Sequence, residues 1–154
     1  MSLAIKPAPV RKSVSVAATP DRAFEAFTAG FDRWWPRSHS IGDAPLKTAV
    51  IEPRAGGRWY GLLDNGSEAE WGEVLAWEPP RRVLLAWRIG TNWTYDPALH
   101  TEVEVTFTRE GERTRVDLEH RHLENMGEGA EGARAQFDSD GGWGGLLQMF
   151  ADAV

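Results

Sequence analysis

The chain contains no cysteine. That removes a disulfide framework, a thiolate metal site and a cysteine nucleophile together. Long apolar runs are also missing, and none approaches the ~20 residues of a membrane-spanning helix. Positive charge is in short supply. Seventeen Lys and Arg face 23 Asp and Glu, for a net charge of -6 and a pI near 5.2. Nucleic acid rewards basic surfaces, so it is not an expected partner. Zinc spacings such as HExxH and the GxSxG elbow of the hydrolases are absent. Gly56-Gly57 is no phosphate loop, because it precedes a strand and lacks the Lys-Ser/Thr ending. It reads as a hairpin turn that needs positive φ or close approach. No secretory signal pattern is visible, so a cytoplasmic protein is expected. No metal and no cofactor are expected.

What is abundant is tryptophan, with eight in 154 residues. Indoles bury large areas and need a partner for their N–H. They fill a core or line a cavity. The length fits one domain over residues 1–154, enough to bury about 68–70% of the unfolded surface.

The rest of the chain is organised around its last stretch, DSDGGWGGLLQMFADAV at 138–154. Trp143, Leu146, Leu147, Phe150 and Val154 recur at helical spacing and share one face. Asp138, Ser139 or Asp140 is expected to cap the first free N–H groups. Phe137 falls roughly 120° off the stripe at about 100° per residue, which predicts a break near Asp138–Gly142. Each glycine of GGWGG costs on the order of 1 kcal/mol inside a helix, so something must approach the backbone there. A curved sheet pressing on the helix is the expected neighbour.

Upstream, residues 9–16 alternate as a strand. Thr19-Pro20-Asp21 starts a short helix carrying Phe24 and Phe27, and Phe31–Trp35 forms a further turn. Trp34 and Trp35 are adjacent and cannot point the same way: one packs inward and the other closes a rim. Strands are expected at 47–52, 58–63, 68–77, 82–89, 101–109 and 113–122, joined by short turns. The order of a strand, two short helices, six strands and a helix makes an α+β meander of antiparallel strands. The first strand joins at an edge, and the last helix covers the inner face.

The segments PDRAFEAFTAGFDRWWP at 20–36, EPRAGGRWYG at 52–61, GEVLAWEPPRRVLLAW at 72–87, VEVTFT at 103–108, VDLEH at 116–120 and GW at 142–143 resemble the START-like, helix-grip superfamily in its AHSA-type branch. These are homologues of the C-terminal domain of the activator of the large heat-shock chaperone's ATPase. The resemblance spans nearly the whole chain. It implies a curved antiparallel sheet of six or seven strands gripping the C-terminal helix, with a cavity between them. It implies ligands such as lipids, hormones or polyketides, a chaperone as an alternative partner, and no catalytic residue common to the family.

The residues expected at such a cavity are Trp35, Trp59, Trp71, Trp87, Phe107, His120, Trp143 and Leu147. Together they make a largely apolar cleft with few polar groups, which suits a hydrophobic or aromatic small molecule. His120 and His122 are two apart and are expected on the inner face. A metal between them lacks support, and His120 reads better as a polar ligand contact. His39 and His100 read as solvated. Arg54, Arg58 and Arg88 are candidates for the cavity mouth. A cyclase or hydrolase built on His120 with Glu73 or Asp117 is a further alternative, weakened because Asp117 faces away on strict alternation. Trp77 and Trp93 lie outside the expected core and leave a homodimer contact open.

Overall fold

The computed structural model describes residues 7–154. The strands are β1 (Val10–Val16), β2 (Leu46–Ile51), β3 (Arg58–Leu63), β4 (Glu68–Glu78), β5 (Arg82–Trp87), β6 (Thr101–Glu110) and β7 (Arg113–Arg121). They form one antiparallel sheet in the order β1-β7-β6-β5-β4-β3-β2. β1 therefore joins the meander at an edge, with Val10 opposite His120 and Val16 opposite Thr114. The helices are α1 (Pro20–Thr28), α2 (Phe31–Trp34), α3 (Ala130–Phe137) and α4 (Trp143–Ala153), with a 3-10 turn at Leu123–Met126.

Alternation creates the two faces. In β6, Thr101, Val103, Val105 and Phe107 are buried while Glu102, Glu104 and Thr106 are half-exposed. In β5 the inner row Val83, Leu85 and Trp87 is buried and continues to Ile89. The sheet curls because its ladder slips at Leu46/Thr48, Trp59/Tyr60 and Val74/Ala76. An extra residue on one strand bends it and increases local twist. Gly72 marks the closest approach in the bend, since a Cβ there would sit 1.7 Å from the Ala86 carbonyl oxygen.

Helix α1 begins as its sequence dictates: the Thr19 hydroxyl accepts from the Arg22 N–H at 3.3 Å, and Pro20 takes the first turn. Helix α4 covers the sheet against β1, but it does not do so alone. Phe24, Phe27, Phe31 and Trp34 from α1 and α2 fill one end of the concavity. There Phe27 meets Phe150 edge-on at 5.3 Å and Phe24 meets Phe107 at 5.2 Å. Such pairs add about 0.5–1.5 kcal/mol each beyond their burial.

Four sequence expectations change. Helix α3 lies where no helix was expected, because its stretch is polar and glycine-rich and buries only Ala130 and Phe137. No acidic or hydroxyl side chain caps α4, which starts from Gly142. Asp138 instead pairs with Lys12 of β1 at 2.9 Å. The group that crowds the GGWGG glycines is not the sheet but the chain's own preceding turn. A Cβ on Gly142 would sit 2.3 Å from the Phe137 carbonyl oxygen, and one on Gly145 2.1 Å from that of Asp140. Finally, Trp34 and Trp35 are both buried and share Phe31, but Trp34 turns to Phe27 and Trp35 to Trp71 on the cavity wall.

The convex face carries cross-strand ion pairs. Arg58 binds Glu70 and Glu68, Arg82 binds Glu104, and Arg121 reaches Glu102 at 2.9 Å and Glu104 at 3.0 Å. Burial pushes the Glu104 carboxyl up, yet hydrogen bonds from Arg82 and Arg121 outweigh it and hold the group below its ordinary range.

Replacing Gly72 with Ala forces β4 and β5 apart at their tightest point. A loss of about 3 kcal/mol is expected in a urea unfolding experiment. A loss below about 0.5 kcal/mol, the range of neutral surface changes, would show that the bend does not depend on this contact.

Candidate functional site

Between the sheet and the start of α4 lies a cavity of about 420 Å³. Its walls come from five places. Trp71 of β4 and Trp87 of β5 supply the sheet side, followed by Ile89. Trp35 stands at the end of α2, and Ser38, His39, Ser40 and Ile41 continue from it as a strap. Gln136 and Phe137 close α3, Ser139, Gly141 and Gly142 form the turn after it, and Trp143 and Leu146 open α4. Trp93, 49% exposed, stands at the edge from the β5–β6 loop.

The rings hold each other in place. Trp35 lies 5.5 Å from Trp71 and 6.0 Å from Trp143. Trp87 lies 5.9 Å from Trp143 and 5.4 Å from Phe137. Trp93 meets Phe137 edge-on at 6.5 Å. Most of the indole N–H groups on this wall are already used. Trp87 donates to the Ile89 carbonyl at 2.9 Å, Trp35 to the His39 carbonyl at 2.7 Å, and Trp143 to His120 Nδ1 at 3.1 Å. The Trp71 N–H has no partner. The wall therefore offers ring faces and edges, and the polar side chains, Ser38, His39, Ser40, Gln136 and Ser139, belong to the strap and the α3–α4 junction.

Of the residues expected at the cavity, Trp35, Trp71, Trp87 and Trp143 line it. Trp59, Phe107, His120 and Leu147 do not. Trp59 is sealed behind Trp71 and Trp87, at 5.9 and 5.6 Å. Phe107 packs at the other end against Phe24 and Phe27, and Leu147 points into the core one position past the lining Leu146. Phe137 and His39 were missed. Phe137 betrayed itself only by falling off the α4 stripe. His39 looked solvated because its contacts come from Gly141, 102 positions away.

His120 is wholly buried, and its hydrogen bonds explain its role. Thr101 Oγ1 donates to the Trp87 carbonyl at 2.8 Å, so it accepts from His120 Nε2 at 3.0 Å. Nδ1 accepts from Trp143. The neutral ring thus satisfies every donor and acceptor in the chain, whereas a proton on Nδ1 would face the indole N–H. Burial pushes the imidazole down from 6.5 to about 3. Neither carboxylate proposed for it is a partner, since Glu73 pairs with Arg88 and Asp117 with Arg115. His122 leaves the inner face altogether. Its φ of 63° swings it outward beside Glu102. Arg54, Arg58 and Arg88 bind Glu52, Glu68, Glu70 and Glu73 rather than the cavity mouth. No group of three or more His, Asp or Glu suited to a metal occurs among the described residues.

The buried ring makes stability depend on acid. The unfolded chain binds a proton at this histidine below pH 6.5 and the folded chain does not until about 3. Its contribution is therefore complete above pH 6.5 and declines as pH falls towards 3, by up to about 1.4 kcal/mol per pH unit. The His120 ring resonance should keep its neutral shift down to about pH 4 in an NMR titration. A midpoint near the ordinary histidine value would overturn this account.

No helix among the described residues is long and apolar enough to cross a membrane. A comparison with curated proteins gave no match. Among solved structures, the chain is similar to the anthrahydroquino-gamma-pyrone synthase Txn09, solved with a compound abbreviated SUM. They share 37% identity over 97% of this chain and 98% of that one, with a TM-score of 0.67. It is also similar to CalC, a self-sacrificing resistance protein of Micromonospora echinospora, at 34% identity, 94% and 92% coverage and a TM-score of 0.69. The Aha1 dimer of Colwellia psychrerythraea shares the fold at 15% identity, 96% coverage of both chains and a TM-score of 0.61. Residues 17–154 match the model of the family described as activator of Hsp90 ATPase homolog 1-like protein. The chain belongs to that family, and its sheet wrapped on a C-terminal helix is the helix-grip fold of the AHSA-type branch.

Proposed function

We propose that this protein binds a planar, largely apolar small molecule, edged with a few polar groups, in the cavity between the sheet and α4. The observation that carries this reading is the cavity itself: about 420 Å³ walled by Trp35, Trp71, Trp87, Phe137 and Trp143. Ligand sites span about 300–1,000 Å³ and are mostly apolar with a few placed polar groups. Protein interiors are otherwise packed without voids of this size. Flat rings suit the walls, because aromatic faces and edges stack at 4.5–7 Å. The similarity to a synthase of an anthrahydroquino-gamma-pyrone adds weight to a fused aromatic ligand of polyketide type.

That same similarity favours a second reading, in which the bound polycycle is also transformed. His120 does not serve that chemistry, being sealed and fully bonded. A chaperone contact draws less support. The large apolar side chains exposed among the described residues are Trp93, at the cavity edge, and Met149. Trp77, considered for a homodimer contact, packs against Phe24 at 5.0 Å.

Binding should be visible in the indoles that form the wall. Titration with hydroxylated anthraquinones should quench tryptophan fluorescence saturably. Replacing Leu146 with Trp fills the cavity from α4 and should weaken binding about tenfold or more, close to 1.4 kcal/mol. Equal affinity in this variant would place the ligand elsewhere.

A further inference from the structure

Among the described residues, His39 carries the one ionisable side chain in the cavity lining. Its ring is held at both nitrogens. Nε2 lies 2.8 Å from the Gly141 carbonyl oxygen, and Nδ1 lies 3.0 Å from the Ser38 hydroxyl oxygen. A carbonyl oxygen only accepts, so Nε2 bears the hydrogen. In the neutral ring Nδ1 then presents its lone pair to the Ser38 O–H. The backbone beneath is fixed as well, because the Trp35 indole donates to the His39 carbonyl and its ring meets the imidazole edge-on at 6.1 Å. A base in a defined tautomer, oriented by a third group, is the arrangement that proton transfer requires. His120 cannot compete, since its Nδ1 is occupied by the Trp143 N–H and closed off from the cavity.

Resting on the reading of the cavity as a small-molecule site, we infer that it selects polycycles bearing an acidic phenolic hydroxyl, and that His39 takes up the phenolic proton through Ser38. The ligand O–H bond breaks and its proton passes to Ser38 Oγ. The Ser38 O–H bond breaks in turn and its proton passes to His39 Nδ1. A phenolate and an imidazolium result, with no change in total charge. The imidazolium keeps Nε2–H on Gly141 and gains Nδ1–H towards Ser38. Ser38 is exposed and His39 half-buried, so water partly screens the attraction between the two charges.

The test uses the whole protein with emodin, a trihydroxyanthraquinone whose visible band moves to longer wavelength on ionisation. The buffer is set about one pH unit below the free dye's own ionisation. Binding is read from tryptophan quenching and ionisation from the dye's absorbance. Wild type should quench and raise the ionised fraction roughly fivefold, as a downward shift of about one unit requires. His39→Gln keeps a donor for Gly141 but cannot accept a proton. It should still quench, with less than about a twofold rise in ionised dye, equivalent to a shift of about 0.3 unit. Ser38→Ala should lose most of the rise too, and it carries the comparison if His39→Gln fails to fold by circular dichroism. Wild-type quenching without the ionised band would overturn the inference and leave the cavity reading intact. So would a full ionised band in His39→Gln. A full band in Ser38→Ala would overturn the relay through its hydroxyl. No quenching by wild type would remove the cavity reading and this inference with it.

Discussion

A buried line of hydrogen bonds ties the last helix to the sheet, and the architecture of the site depends on it. Trp143 donates to His120, His120 to Thr101, and Thr101 to the Trp87 carbonyl. The four residues come from α4, β7, β6 and β5. Each buried polar atom in the line has its partner, so none carries the penalty of an unpaired group, roughly 1–3 kcal/mol. Apolar packing also holds α4, through Phe150 against Phe27 and Trp34 at its far end. The polar seam fixes the start of the helix through Trp143, and there Trp143 and Leu146 form one side of the cavity.

The same concavity is filled at one end and hollow at the other, and the difference lies in what covers it. Under α1 and α2, Phe24, Phe27, Phe31 and Trp34 interlock with Phe107 and Phe150 in the core. At the other end the covering chain is a strap, a turn and the glycine-rich start of α4. Gly142 and Gly145 are required there by the tight turn after α3. Residues without side chains fold back closely but fill little space. The rings around them are braced by one another instead, with centroid spacings of 5.4–6.0 Å.

Much of this was legible from residue order. Alternation located the strands to within a residue or two, and TEVEVTFTR at 101–109 is the plainest case, because one face is dry and one is wet. The stripe through Trp143, Leu146, Leu147 and Phe150 located α4, and the phase of Phe137 located the break before it. Trp35, Trp71, Trp87 and Trp143 were all expected at a cavity and line one, although for Trp35 the sequence left open which of the Trp34–Trp35 pair faces inward. What escaped was whatever depends on distant parts of the chain meeting. Helix α3 has almost no apolar stripe and is held by its surroundings, as when Arg134 donates to the Ala8 carbonyl at 2.7 Å. His39 joins the cavity lining, with its Nε2 against the Gly141 carbonyl, a contact between residues 102 positions apart. Trp59 and Trp71 have equally inward phases, and only the packing decides that one is behind the wall and the other on it.

The ion pairs on the convex side have a consequence for how the strands find their partners. Arg82 and Glu104 sit on neighbouring strands two residues off direct pairing, on the same outer face, as Arg82 opposes Thr106 and Leu84 opposes Glu104. Arg121 stands opposite Glu102 itself. A slip by one residue would turn the inner rings towards water and bring these charged side chains into the greasy interior. A slip by two would keep the rings inside but would take Arg121 away from its place opposite Glu102. The outer lattice thus checks the alignment that the aromatic interior is blind to, much as a parity bit guards a message whose content is carried elsewhere.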